Sequence, residues 1–187
     1  VIHLSTGIAS SNASLNTSPE CLWRGITCTA GLVREISYEE PLGGSIPFEI
    51  GELTHLVIFD IEDANLVGTI PPSIGNLHRL VFIDLNGNSL TGSLPDSLYD
   101  LSNLQVLDID TNLLTGTISA DIGNLQRLSF LQLESNAFTG SIPDTLGNLF
   151  TLQQATFDNN QFTGTMPESV CANRGDGIAG GFLLVLN

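Results

Sequence analysis

The chain has 187 residues, 42% of them hydrophobic, and 5 Lys+Arg against 20 Asp+Glu give a formal net charge of −15. That length fits one domain, and the apolar share is enough for a continuous core. The charge excludes nucleic acid, whose phosphates demand a basic footprint, and disfavours an anionic membrane surface; no run reaches the roughly 20 apolar residues of a transmembrane helix.

Residues 1–18 are rich in Ser, Thr and Asn without a clear period, and no element is assigned to them. They hold two glycosylation sequons, Asn12-Ala13-Ser14 and Asn16-Thr17-Ser18. No signal-peptide pattern is visible, as expected of numbering that begins in a mature chain. Cys21-Leu22-Trp23-Arg24-Gly25-Ile26-Thr27-Cys28 follows, with two of the three cysteines and the one tryptophan.

From Leu53 onward the chain repeats itself every 24 residues, with copies opening at Leu53, Leu77, Leu101, Leu125 and Leu149 and a degenerate copy between Leu32 and Pro47. A fixed period of this size marks a solenoid, in which each copy buries its apolar face only by stacking on its neighbours. In the copy at Leu125 the apolar residues fall at offsets 0, 3, 6, 8, 13 and 17. Phe130-Leu131-Gln132-Leu133-Glu134 alternates as a short strand does, with Leu131 and Leu133 inward. Asn136 stands where the chain must turn, and Asn88, Asn112, Asn136 and Asn160 are expected to stack as a ladder of backbone hydrogen bonds, broken at Ala64. Gly140 permits a tight bend, Ile142 points inward, and Pro143 ends backbone pairing.

These residues resemble the plant-type leucine-rich repeat, LxxLxxLxLxxNxLTGxIPxxIGN, from about Leu32 to Val170. The subtype's second signature recurs in Leu90-Thr91-Gly92-Ser93-Leu94-Pro95, Leu114-Thr115-Gly116-Thr117-Ile118 and Phe162-Thr163-Gly164-Thr165-Met166-Pro167. The resemblance implies a right-handed superhelix of α/β type, with a parallel sheet on the concave face and a 3-10 or irregular convex side. The segment from Cys21 to Cys28 is similar to the family's amino-terminal cap, CxWxGVxC, which implies a Cys21–Cys28 disulfide and with it an oxidising, secretory setting. A structural zinc site, the rival for two close cysteines, wants four ligands. Three parts are therefore expected: a capping segment over residues 1–30, repeats over 31–170, and a carboxy-terminal cap, incomplete, over 171–187.

Cys171 begins that last cap and is expected to be unpaired within the chain. Arg174-Gly175-Asp176 matches an adhesion tripeptide but sits in a Gly-rich stretch with nothing beside it to support that role. The apolar run from Gly181 to Leu186 is expected to be a last strand covering the stack.

Function is expected on the concave strands. At offset 7 the copies carry Asp60, Asp84, Asp108, Gln132 and Thr156, and at offset 9 Glu62, Asn86, Asp110, Glu134 and Asp158. Carboxylates on strands about 4.8 Å apart repel one another, so such a column does not exist for stability. Phe82 and Phe130, at offset 5, would add apolar anchors beside it. The acids are expected to project into solvent from one surface with no arginine among them. A second face comes from hydroxyl columns, Thr91, Thr115, Thr139 and Thr163 at offset 14, and Thr69, Ser93, Thr117, Ser141 and Thr165 at offset 16, which resemble ice-binding arrays.

Nothing indicates an enzyme. His3, His55 and His78 are scattered, no nucleophile has a spaced base, and the acids recur as a pattern rather than converging in one pocket. No cofactor or metal is expected. The expected function is an extracellular binding module, secreted or at the cell surface or wall, that recognises a protein, a peptide or a cell-wall glycan through its concave face. The alternatives are a structural or adhesive subunit that meets other subunits of an extracellular assembly, and ice binding through the Thr/Ser columns.

Overall fold

The computed structural model describes residues 19–38, 40–172 and 183–185. A hairpin opens it: β1 (Ile26–Thr29) runs antiparallel to β2 (Leu32–Tyr38) and lies over the outer edge of the first coil. Each full copy then gives two short strands, β3 (Ile58–Ile61) and β4 (Val67–Gly68), β5 (Phe82–Asp84) and β6 (Ser89–Gly92), β7 (Val106–Asp108) and β8 (Leu113–Gly116), β9 (Phe130–Gln132) and β10 (Ala137–Gly140), β11 (Gln154–Thr156) and β12 (Gln161–Phe162). After a five-residue helix α1 (Glu168–Ala172), β13 (Leu183–Val185) pairs with β11 as a further copy's strand would.

The strand segments build one sheet in the order β1-β2-β3-β5-β7-β9-β11-β13, parallel from β2 onward. Its register is the repeat itself, so that Ile58, Phe82, Val106, Phe130 and Gln154 stand side by side. Apolar residues at the predicted offsets are buried in a single core from Ile36 to Val170, with a further column, Ile74, Leu98, Ile122, Leu146 and Val170, at offset 21. That column belongs to the segments that close each coil, which are 3-10 turns at Phe48–Glu52, Pro72–Asn76, Asp96–Asp100, Ala120–Asn124 and Asp144–Asn148 and, for Val170, helix α1. Pro47, Pro71, Pro95 and Pro143 precede four of them in extended conformation, the φ that their rings impose.

Side chains bind one coil to the next. The asparagine ladder forms: Asn112 donates to the Leu85, Ile109 and Asp110 carbonyls at 2.9, 3.2 and 2.9 Å and accepts the Leu90 N–H at 2.9 Å. Such buried peptide groups would otherwise be left without partners. On the convex side a second ladder runs through offset 20, where Ser73, Ser97, Thr145 and Ser169 each donate to a carbonyl of the preceding coil, those of Phe48, Pro72, Ala120 and Asp144. Neighbouring turns approach so closely there that a Cβ on Gly75 would lie 2.5 Å from that of Ser97. In the copy at Leu77 this glycine is Tyr99, buried, and the facing coil differs to match. Asp121 stands at the staple position, and Ser119, in place of the usual proline, gives its N–H to the Tyr99 hydroxyl at 3.3 Å.

The convex side is more regular than the sequence suggests. The Leu-Thr-Gly segments, to which the sequence reading assigns no strand, pair into a second parallel sheet in the order β12-β10-β8-β6-β4. Extended backbone one coil apart has donors and acceptors at sheet spacing, and β4, β6, β8 and β10 each end on a glycine before the proline, or Ser119, is reached. Those glycines take the left-handed conformation, with φ of 78° at Gly92, 86° at Gly116 and 77° at Gly140, which a side chain resists. Pairing here is staggered by two residues against the repeat: Thr91 lies beside Leu113, Ala137 beside Thr115, and Thr139 beside Gln161.

Candidate recognition surface

Alternation along β3, β5, β7, β9 and β11 sends Phe59, Ile83, Leu107, Leu131 and Ala155 into the core and leaves their neighbours on the concave face. Asp60, Asp84 and Asp108 stand in register on adjacent strands, followed by Gln132 and Thr156. Phe82 and Phe130 are half-buried beside them, each with ring surface left for contact. Hydrogen bonds hold the acids in place. Ser37 Oγ donates to Asp60 Oδ2 at 3.1 Å. Asn86 Nδ2 reaches both Asp84 Oδ1 at 2.7 Å and Glu62 Oε2 at 3.2 Å, bridging two strands. The Thr156 hydroxyl donates to Glu134, and Asn159 Nδ2 donates to Asp158 Oδ2 at 3.1 Å.

The acids are not equally open to solvent. Asp108 is 7% exposed and Thr156 5%, where all of the column was expected to project freely. A short side chain on a central strand is flanked on both sides, Asp108 by Asp84 and Gln132, and those neighbours shield it. Its charge suffers accordingly. Burial first, then the Asp84 carboxylate, pushes the Asp108 carboxyl up to about 8, against the lowering pull of the Asp110 N–H. Asp84 is raised too, chiefly by burial, with the Asn86 hydrogen bonds opposing and the Glu62 and Asp110 carboxylates adding.

No arginine offsets these charges among the described residues. Arg24 pairs with Glu40 on the cap at 2.7 Å, Arg34 donates to the His55 carbonyl, and Arg127 donates to Asn103 Oδ1 at 2.9 Å. Arg79 is exposed, ahead of β5. His55 and His78 lie outside the strands. No group of three or more His, Cys, Asp or Glu side chains among the described residues is arranged to hold a metal ion. Cys21 and Cys28 are joined, with Cα atoms 5.6 Å apart. The sequons at Asn12 and Asn16, the tripeptide at Arg174, His3 and the pairing of Cys171 lie outside the described residues. What sequence reasoning missed on this face is Asn86 as the bridge between carboxylates; an amide amid acids at offset 9 was its only signal.

Stacked coils, a parallel inner sheet and a polar concave face flanked by half-buried aromatics define a solenoid of the recognition type. The Leucine Rich Repeat family model matches residues 79–101, 103–125 and 127–149, and these copies are leucine-rich repeats. No curated protein sequence matches it. Among solved structures it is similar to the plant peptide hormone receptor RGFR1 in complex with RGF2, at 33% identity and a TM-score of 0.73, over 78% of this chain and 23% of that one. It is similar to a plant ice-binding protein at 32% identity and a TM-score of 0.74, over 81% of this chain and 51% of that one. A third is the ectodomain of the receptor kinase SOBIR1 from Arabidopsis thaliana, at 26% identity and a TM-score of 0.66, over 92% and 86%. The chain thus spans under a quarter of the hormone receptor and about half of the ice-binding protein. No helix among the described residues is long and apolar enough to cross a membrane.

Proposed function

We propose that this chain is an extracellular binding module, not an enzyme, and that its concave face recognises a peptide or an extended segment of a protein carrying basic side chains. One observation carries this: the face bears a continuous set of carboxylates with no cation among the described residues to balance them, beside Phe82 and Phe130. Charge of one sign speeds encounter with a partner of the other, and half-buried rings supply the desolvated contact that slows release. The peptide-bound hormone receptor and the receptor-kinase ectodomain among similar structures support a peptide or protein partner outside the cell, as does the disulfide. In this reading residues 1–30 cap the stack, 31–170 present the face, and 171–187 begin the far cap.

A peptide-library selection against the purified chain tests it. Enriched sequences should be rich in Arg or Lys; Asp84→Arg with Asp110→Arg should lower their association rate more than tenfold, and Phe82→Ala should raise their dissociation rate. Binders that ignore all three substitutions would place recognition elsewhere.

A second reading is favoured by the similar ice-binding protein and by the exposed column Thr69, Ser93, Thr117, Ser141 and Thr165. On this reading the hydroxyls that follow the strands of the second sheet hold ordered water. Thermal hysteresis of the purified chain, lost in Thr117→Tyr, is the expected sign, and its absence ends this reading.

A further inference from the structure

Asp60 on β3, Asp84 on β5 and Asp108 on β7 form a row one strand apart, about 4.8 Å at sheet spacing. Three ionised carboxylates at that spacing repel one another unless donors or cations intervene. Donors intervene unequally. Asp60 Oδ2 accepts from Ser37, and Asp84 Oδ1 accepts from both the N–H and the amide of Asn86. Asp108 accepts the Asp110 N–H on Oδ1 at 3.2 Å and no side-chain donor among the described residues, although the residue is only 7% exposed.

The groups around it are of one sign. β3 brings Asp60 and, just beyond its end, Glu62; β5 brings Asp84; Asp110 follows β7; Glu134 follows β9; and Asp158 follows β11, while Glu35 stands on β2 beside Ile58. The described arginines are on the cap, ahead of the strands, or turned to carbonyl and amide oxygens. An ionised Asp108 would therefore face carboxylates on its own strand's continuation, at Asp84 on the β5 flank and at Glu134 beyond Gln132 on the β9 side, with one backbone dipole in its favour. Binding a proton is the cheaper state, and the position of its titration agrees.

We propose that the Asp84–Asp108 pair couples capture of a cationic group on the concave face to release of a proton, so that this face grips a basic partner more tightly as pH rises through neutrality. The inference rests on the concave-face reading above and adds its regulation. While the face is empty, Asp108 is a neutral acid beside the Asp84 carboxylate. A guanidinium or ammonium group settling across β5 and β7 favours the charged form; the Asp108 O–H bond breaks, its electron pair stays on the carboxylate, and the proton goes to solvent. The new carboxylate–cation hydrogen bonds add to the one backbone donor that Asp108 has in the empty face. Net charge on the pair falls from −1 to −2 as the partner's +1 arrives, so the protein supplies a matching charge only when it is needed.

Isothermal titration calorimetry with acetylated, amidated hexa-arginine tests this, run in phosphate and in Tris so that buffer ionisation heats count the protons released. Expected is close to one proton released per peptide at pH 6.5, and an affinity that rises by up to about tenfold per pH unit between 6 and 7.5 and flattens above 8. Asp108→Asn, isosteric with the protonated acid, should fold and bind with neither proton release nor pH slope. Should that variant not fold, Asp84→Asn, by removing the neighbouring charge, should shift the inflection to lower pH. Binding without proton release, or the same slope in Asp108→Asn, overturns the coupling and leaves concave docking standing. Failure of hexa-arginine to bind at any pH also overturns it, while leaving docking of an uncharged segment. Binding that survives Asp84→Arg with Asp110→Arg overturns the coupling and the concave-face reading together.

Discussion

Nearly all of Asp108 is out of water, yet Asp84 stands beside it in register and Asp110 follows two residues on. The unfolded chain ionises this group near 3.8 and the folded chain only near 8, so between those values the folded state binds the extra proton. Stability contributed by this residue therefore falls as pH rises from about 4 to about 8 and is level beyond either end. We expect the thermal midpoint, followed by circular dichroism, to drop from pH 5 to pH 8, and the drop to shrink in Asp108→Asn. An undiminished drop would assign the effect to the general acidity of the chain. From sequence, Asp60, Asp84 and Asp108 were three equivalent members of a column; which of them water reaches depends on the side chains of the flanking strands, and a linear pattern does not display those.

Among the elements, the inner strands and the coil-closing turns follow from spacing. Alternating leucines can face one core only as a strand, and proline, with its φ preset, begins each closing turn but one. The second sheet did not follow, because Leu-Thr-Gly has no alternation long enough to announce a strand; its pairing comes from the neighbouring coil. The two-residue stagger explains why the offset-14 hydroxyls, aligned in sequence, are not neighbours in the sheet: Thr91 has Leu113 for a neighbour, Thr115 has Ala137 and Thr139 has Gln161. The offset-22 glycines were legible only as part of a signature, whereas their physical reason is the distance between turns. Gly75→Ala would push a methyl to 2.5 Å from Ser97 Cβ, with the Ser97 carbonyl oxygen at 2.6 Å. We expect it to destabilise the chain by about 1–3 kcal/mol in urea unfolding. An alanine tolerated without loss would mean that the turns separate freely.

At the scale of the whole molecule, each coil touches little beyond the one before and the one after, so stability is a chain of nearest-neighbour terms. One of those terms differs in kind. Four junctions on the convex side are fastened by a Ser or Thr hydroxyl reaching back to a carbonyl; at the junction of the copies that open at Leu77 and Leu101, Asp121 leaves that place empty of a staple, and a tyrosine hydroxyl meeting the Ser119 N–H at 3.3 Å stands in. The solenoid is therefore a zip with one mismatched tooth near its middle. Under sub-denaturing urea the amides of Ser119 and of the turn at Ala120–Asn124 should exchange with deuterium before those of Pro72–Asn76 or Asp144–Asn148, and the molecule should part into two stacks there before either stack melts. A protein that opens at one place has, in effect, a fuse: the half bearing Asp60 and Asp84 and the half bearing Asp108 would separate along the line that any ligand lying across both must bridge, so an occupied concave face would be the means of holding it shut.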